Sequence, residues 1–177
     1  YSYGPAQRET VVDENGKVKP FVLAAQQRGI VFDLGHGGGA FSWRQAIPSM
    51  QQGFKPNVIS TDLHAESMNG SMKDLNNVLS KFLNSGMSIQ EVIVRASMNP
   101  AAVIKRPDLG NLSVGSEADI AVFNIRKGDF GFMDIRKTKI KGTQKLETEL
   151  TIRAGKIVWD LNGLSAPLWE EELKKNK

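Results

Sequence analysis

Two short runs of apolar residues, Ile30 to Leu34 and Val58 to Thr61, lie in the first part of the chain and show little alternation with polar residues. Runs of this length are typical of strands that are buried on both faces. Helical patterns surround them, with caps and closing glycines, over residues 20–29, 42–53, 72–83 and 89–98. The order helix, strand, helix, strand, helix, helix predicts crossover units and a parallel sheet, and therefore an α/β fold.

The pattern changes after residue 111. Apolar and polar residues now alternate, for example from Leu146 to Ile152, and this predicts half-exposed strands of an antiparallel sheet. A tight hairpin is expected around Ala154–Lys156. We therefore divide the chain into residues 1–111 and residues 112–177. The tail is expected to pack Leu168 and Trp169 against the body.

Composition narrows the class of protein. With 177 residues, 40% of them apolar, the chain is long enough for one globular domain with a core. The net charge of +4 is spread over mixed signs, which indicates an ordinary surface and no nucleic-acid partner. The absence of cysteine excludes disulfides, thiolate metal sites and cysteine nucleophiles. No apolar segment approaches the length of a membrane span and no signal peptide is visible, so we expect no membrane partner and a cytoplasmic location.

Polar residues that could carry chemistry follow both apolar runs. His36 and the glycines 37–39 come after the first run, and Asp62 and His64 come after the second. The carboxyl ends of parallel strands are where ligands bind in α/β folds. Each residue also has a structural explanation: Asp62 could cap a helix or form an ion pair, His36 could be a core histidine, and the glycines could only allow a tight turn.

The string "HGGG" also occurs in the oxyanion hole of some lipases and esterases. That chemistry needs a G-x-S-x-G elbow, which the sequence lacks, so a serine hydrolase is excluded in practice. Neither G-x-x-x-x-G-K-[ST] nor G-x-G-x-x-G is present, so a phosphate-binding glycine loop is only a weaker alternative.

Four stretches together carry a resemblance: "FDLGHGGGAFSW", "PNVISTDLH", "ASMNPAAVI" and "LGNLSVGSEADIAVFNI". They resemble the C-terminal part of the amidohydrolase superfamily, and more narrowly its dihydroorotase-like amidohydrolase/deacetylase group. The resemblance implies the C-terminal part of a (β/α)8 TIM barrel over residues 1–111, followed by strands of a small β-sandwich domain over residues 112–177. It also implies one or two divalent metals, zinc in most members, that activate water to hydrolyse an N-acyl or cyclic amide.

The resemblance also assigns roles to particular residues. Asp62 corresponds to the catalytic aspartate after the last barrel strand, which binds the metal and moves the proton. His36 corresponds to the histidine after the preceding strand and is expected to contact the substrate or to support another residue of the site, without binding the metal itself. The adjacent Gly37 and Gly38 are expected to contact the substrate at the mouth of the barrel. Strand alternation would point His64 away from Asp62.

The sequence lacks most of the family's metal ligands. It has two histidines and neither belongs to an H-x-H pair, whereas a hydrolytic zinc site needs at least three protein ligands. The chain starts at Tyr1, and "YSYGPA" resembles the stretch just past the sixth strand. We therefore expect a fragment that is inactive by itself, whose other metal ligands lie outside this chain.

The expected partners are a small-molecule amide substrate, the N-terminal portion of the same enzyme and further copies in a homo-oligomer. One alternative of another class is open, a non-catalytic half-barrel that serves assembly or binding.

Overall fold

A computed structural model of the protein describes residues 10–175. Its elements, in chain order, are α1 (Pro20–Gln27), β1 (Asp33–Gly35), α2 (Trp43–Gln51), β2 (Val58–Ser60), α3 (Ala65–Met68), α4 (Leu75–Leu83), α5 (Ile89–Ala96), α6 (Met98–Val103), β3 (Ile120–Met133), β4 (Lys139–Arg153), β5 (Lys156–Asp160) and α7 (Trp169–Lys175). The "YSYGPA" stretch, whose place in the barrel was predicted from the resemblance, lies outside the described residues.

The two apolar runs pair as predicted. β1 and β2 are parallel, with Leu34 opposite Ile59, and both of these side chains are buried. The first run is displaced: β1 begins at Asp33, so Ile30 and Val31 precede it and are exposed. Apolar character alone therefore placed the start of this strand three residues too early, because the apolar run begins directly after the turn that ends α1.

The predicted helix caps are confirmed in part: Ser42 precedes α2 but makes no side-chain cap hydrogen bond, whereas the cap of α5 forms as predicted. Ser88 Oγ accepts a hydrogen bond from the Glu91 N–H, and the Glu91 carboxylate accepts one from the Ser88 N–H, so the predicted capping box is confirmed. Pro48 lies inside α2, near its end. α4 is buried over Asn77–Leu83, which is nearly all of its length. A short helix of this kind is held by packing on most sides rather than by one amphipathic face.

The second half forms the predicted antiparallel sheet, in the order β3-β4-β5. Ala154 and Gly155 form the hairpin between β4 and β5, and both have positive φ, of 47° and 75°. This is the conformation that tight hairpin turns require. β3 is one long strand with bulges, and its pairing with β4 continues past Lys127.

One core joins the two halves of the chain. Its buried members come from the parallel pair, from α2 and α4, and from the sheet, where Phe132 and Leu146 are at most 2% exposed. The side chains of Ser80 on α4 and of Asn84, which directly follows α4, accept hydrogen bonds from backbone N–H groups of β4. The boundary at residues 111 and 112 stays a prediction.

The tail differs from the prediction. Leu168 and Trp169 are 65% and 68% exposed, so they do not pack against the described body. Apolar content alone suggested burial, but residues 10–175 provide no surface that covers them.

No helix among residues 10–175 has the length and apolar character that crossing a membrane requires.

Candidate active site

The loop that follows β1 and the segment that follows β2 lie side by side. Gly35 stands opposite Ser60 in the parallel pair, so both strands leave the sheet at the same edge. The N–H of Gly37 donates a hydrogen bond of 2.7 Å to the carbonyl of Thr61. We call residues His36–Gly39 the glycine loop.

The carboxylate of Asp62 lies directly against the glycine loop. A Cβ atom on Gly37 would stand 2.5 Å from Asp62 Oδ2, and Gly37 also has φ of +49°. A side chain at this position is therefore excluded both by the carboxylate and by the backbone. A Cβ on Gly35 would stand 3.2 Å from Asp62 Cβ. The close approach of Asp62 thus accounts for glycine at both positions.

Asp62 itself combines an unusual backbone with an unpaired side chain. Its φ of 50° is uncommon for a residue other than glycine, and such conformations concentrate at functional sites. The side chain is exposed, and among residues 10–175 its carboxylate has neither a hydrogen bond nor an ion pair. The two structural explanations are not found, since His64 and not Asp62 precedes the first turn of α3.

His64 shares this side of the glycine loop. A Cβ on Gly38 would stand 3.5 Å from His64 Cε1, and the imidazole is exposed. Strand alternation gives no reason for His64 to point away from Asp62, because residues two apart share a face of a strand; moreover, β2 ends at Ser60 and Asp62 has a left-handed backbone. The backbone N–H of His64 donates to Ser67 Oγ at 2.9 Å and so holds the start of α3.

Residues 42–158 match the model of the Amidohydrolase family, which is well over half of the chain. The chain belongs to this family. A deacetylase from Brucella anthropi is 42% identical over 106 residues, which are 60% of this chain and 26% of that protein. A deacetylase from Enterococcus faecalis is 29% identical over 142 residues, which are 80% of this chain and 38% of that protein.

Solved structures of two further proteins resemble this amidohydrolase chain. A crystal structure of an adenine deaminase has a TM-score of 0.81 at 28% identity, over 85% of this chain and 41% of that one. A crystal structure of a dihydroorotase has a TM-score of 0.72 at 33% identity, over 79% and 38%. The predicted fold class is confirmed, and the chain spans between a quarter and about two fifths of the length of these four relatives.

The side chain of His36, the first residue of the glycine loop, points away from Asp62 and is fully buried. Its Nδ1–H donates to the carbonyl of Gly37 at 2.9 Å, and its Nε2 accepts a hydrogen bond of 2.6 Å from Lys81 Nζ. The ring stacks on Phe41 at 4.7 Å between centroids. Burial, and secondly the charge of Lys81, lower the pKa of His36 to about 4, so the imidazole is neutral near pH 7.

The His36 side chain faces away from the exposed side of the glycine loop, and its predicted role toward the substrate stays a prediction. β1 ends at Gly35, and the ring turns inward to α4, where both of its nitrogens have partners. Substrate contact by the loop backbone at Gly37 and Gly38 stays a prediction.

The described residues do not form a metal site by themselves. Among residues 10–175, no group of three or more histidine, aspartate, glutamate or cysteine side chains could hold a metal ion. A hydrolytic zinc site needs at least three protein ligands beside an open position. The exposed, unpaired carboxylate of Asp62 suits the role of one ligand, so the described residues fit a divalent metal only in part.

Sequence reasoning missed Lys81 and Asp134, which lie close to His36. Lys81 is fully buried and Asp134 is 2% exposed. Burial lowers the pKa of Lys81, and the Asp134 charge opposes that shift. Asp134 accepts hydrogen bonds from the backbone N–H groups of Trp43, Arg136 and Thr138. Nothing in the local sequence marks either residue, because lysine within a helix and aspartate in a turn are ordinary surface residues.

Proposed function

We propose that this chain contributes to the active site of a metal-dependent amidohydrolase that cleaves the C–N bond of an N-acyl or cyclic amide. The single observation that carries the proposal is the carboxylate of Asp62, which has no partner among residues 10–175 and lies against the glycine loop at the end of a parallel strand. Two relatives named as deacetylases favour an N-acyl substrate, and the dihydroorotase relative favours a cyclic amide.

The environment of Asp62 supports a role in metal binding and proton transfer. A carboxylate that is exposed and free of protein partners can coordinate a cation without first breaking an ion pair. Its Oδ2 lies close to Gly37 at the start of the exposed part of the loop, and a catalytic proton acceptor needs a defined position of this kind.

The glycine loop supports a role in substrate binding. The N–H groups of Gly38 and Gly39 have no acceptor among residues 10–175, and both residues are exposed. Backbone donors of this kind can bind a carbonyl or carboxylate oxygen beside the reacting carbon. Gly37 differs, because its N–H is already bonded to Thr61. We therefore assign substrate contact to Gly38 and close approach to Gly37.

The proposed step is hydrolysis with balanced proton transfer. Asp62 would hold a divalent metal, for which zinc is our proposal, and that metal would supply the acidity that lets a bound water lose a proton near neutral pH. The Asp62 carboxylate accepts this proton while the water oxygen forms a bond to the amide carbon. The C–N bond then breaks, and Asp62 returns the proton to the leaving nitrogen, so that a carboxylic acid and an amine result; the acid then loses its proton to the amine, giving a carboxylate and an ammonium group. The remaining metal ligands lie outside this chain in our proposal.

Metal analysis and substrate turnover by the intact protein test the function. We expect at least one bound divalent metal, hydrolysis of N-acetyl amino acids or of dihydroorotate, and loss of turnover after chelation that added zinc restores. The same assays on Asp108→Asn, which alters an exposed carboxylate paired with Arg106, should match the wild type.

A metal-free protein that hydrolyses none of these amides would contradict the proposal and favour the non-catalytic assembly module. The cytoplasmic location and the homo-oligomeric state stay predictions, as does the inactivity of the chain by itself.

A further inference from the structure

Lys81 is a buried lysine that the proposed reaction does not use. Burial lowers its pKa to about 7, and the three acceptors around Nζ favour the ammonium form. It lies on α4 and is fully buried. Its Nζ is 2.6 Å from His36 Nε2, 2.8 Å from the carbonyl of Ser71 and 2.6 Å from the carbonyl of Met133. An ammonium group has three N–H donors, and each of them has an acceptor here. Burial of such a cation is costly, so a site that satisfies all three donors indicates a specific use.

The three acceptors of Lys81 belong to three different parts of the fold. His36 is in the glycine loop, Ser71 lies between α3 and α4, and Met133 ends β3. Asp134, the residue after Met133, provides a buried negative charge nearby. Lys81 Nζ also lies 5.0 Å from the centroid of the Phe41 ring, which adds a favourable cation–π contact. Lys81 therefore ties the glycine loop to α4 and to the antiparallel sheet.

The hydrogen bonds of His36 connect Lys81 to Gly37, which lies against Asp62. Nε2 accepts from Lys81, so the ring proton is on Nδ1, which donates to the carbonyl of Gly37. Gly37 is the residue whose α-carbon lies against the Asp62 carboxylate. The sequence of contacts runs from Lys81 through His36 and Gly37 to Asp62 without interruption.

We propose that Lys81 is a positioning residue, whose ammonium group holds His36 in one orientation and thereby fixes the glycine loop against Asp62. The catalytic consequence rests on the proposed function, whereas the ordering of the loop does not. A fixed loop keeps Asp62 and the Gly38 N–H in the geometry that hydrolysis needs, and small displacements of such groups cost about 100-fold in rate.

The first experiment measures loop order without any activity. Hydrogen–deuterium exchange of the intact protein is followed in peptides that contain Gly37, in the wild type, Lys81→Met and His36→Phe. Lys55→Met is the matched control, since Lys55 is a partly buried lysine paired with Glu91 away from the loop. We expect about tenfold faster exchange of the Gly37 amide in the first two variants, and no change in Lys55→Met or in the β4–β5 hairpin. Unchanged exchange in a folded Lys81→Met protein would overturn the proposal.

The second experiment measures kinetics per folded molecule in a double-mutant cycle. We expect Lys81→Met to lower kcat about 100-fold with KM within threefold, and to have almost no further effect in the His36→Phe background. The proposed role through His36 would be overturned if the losses of kcat in the two single variants multiplied in the double variant. It would also be overturned if Lys81→Met kept the full kcat of the wild type. If the wild type hydrolyses no amide, the proposed function fails and the exchange experiment alone decides whether Lys81 orders the loop. If Lys81→Met does not fold, His36→Phe provides the same exchange test, and unchanged exchange at Gly37 in that variant overturns the proposal.

Discussion

The two sides of the glycine loop differ in how their polar groups are satisfied. On one side, Asp62 and His64 are exposed, and the carboxylate of Asp62 has no partner among residues 10–175. On the other side, His36 and Lys81 are fully buried and their nitrogens are all hydrogen-bonded. The same loop of four residues separates these two environments.

The buried polar groups on one side of the loop contribute to the stability of the fold, whereas the exposed groups on the other side are available for chemistry. Buried polar groups must be paired, because an unsatisfied one costs about 1–3 kcal/mol or more when it is charged. An exposed carboxylate has no such requirement and is free to bind a metal or a proton. Changes on the His36 side should therefore affect folding first, and changes on the Asp62 side should affect hydrolysis with little effect on folding.

The largest effect on stability is expected for His36→Ala. The substitution removes one of the three acceptors of Lys81 and leaves a void against Phe41. The free energy of unfolding in urea should fall by about 3 kcal/mol. A loss below about 1 kcal/mol would show that the buried side does not hold the loop.

Gly37→Ala should have the next largest effect. Its Cβ meets the Asp62 carboxylate at 2.5 Å and its φ is +49°. We expect a loss of about 2 kcal/mol in unfolding free energy and about 100-fold in hydrolysis. Gly53→Ala is the matched control, since Gly53 has φ of +83° but open space around it, and it should cost only about 1 kcal/mol. Equal costs for the two variants would contradict the close approach of Asp62.

The pH dependence of stability sharpens the comparison further. The folded-state pKa of His36, about 4, is below its ordinary value of 6.5, so the unfolded chain binds a proton first on acidification. The contribution of His36 is fully present above pH 6.5 and is lost as the pH falls from 6.5 to 4, at no more than about 1.4 kcal/mol per pH unit. Lys81 and Asp134 are the charged groups that act on this ring.

Urea unfolding at several pH values between 7 and 4 measures this loss. His36→Phe has no imidazole at this position, so its curve should be flatter over the same range. Parallel curves for the two proteins would show that His36 is not protected from protonation.

The smallest effect is expected for His64→Ala. The imidazole is exposed, and the hydrogen bond at the start of α3 comes from the backbone N–H of His64. The free energy of unfolding should change by less than about 0.5 kcal/mol. A larger loss of unfolding free energy would show that the His64 side chain stabilises the fold, and would contradict the difference between the two sides of the loop.

The sequence predicts the strands and their chemistry better than the direction of the side chains. Leu34 and Ile59 belong to short apolar runs, so a buried parallel pair could be predicted. Asp62 could be placed at a strand end for the same reason. The orientations of His36 and His64 could not be predicted, because both follow the last paired residue of a strand, where alternation no longer applies.

The buried cation could not be found from the sequence at all. The acceptors of Lys81 are 10, 45 and 52 residues away along the chain, and two of them are backbone carbonyls. Only the packing of α4 between the glycine loop and the end of β3 brings them together. The exposed tail at Leu168 and Trp169 has the opposite cause, since apolar residues predict burial without naming the surface that would cover them.

The kcat of Asp62→Asn, measured per folded molecule of the intact protein, tests the role of Asp62 most directly. The account predicts a kcat about 1,000-fold below that of the wild type, with an unfolding free energy within about 0.5 kcal/mol of the wild type. A kcat within tenfold of the wild type, in a protein of unchanged stability, would contradict it.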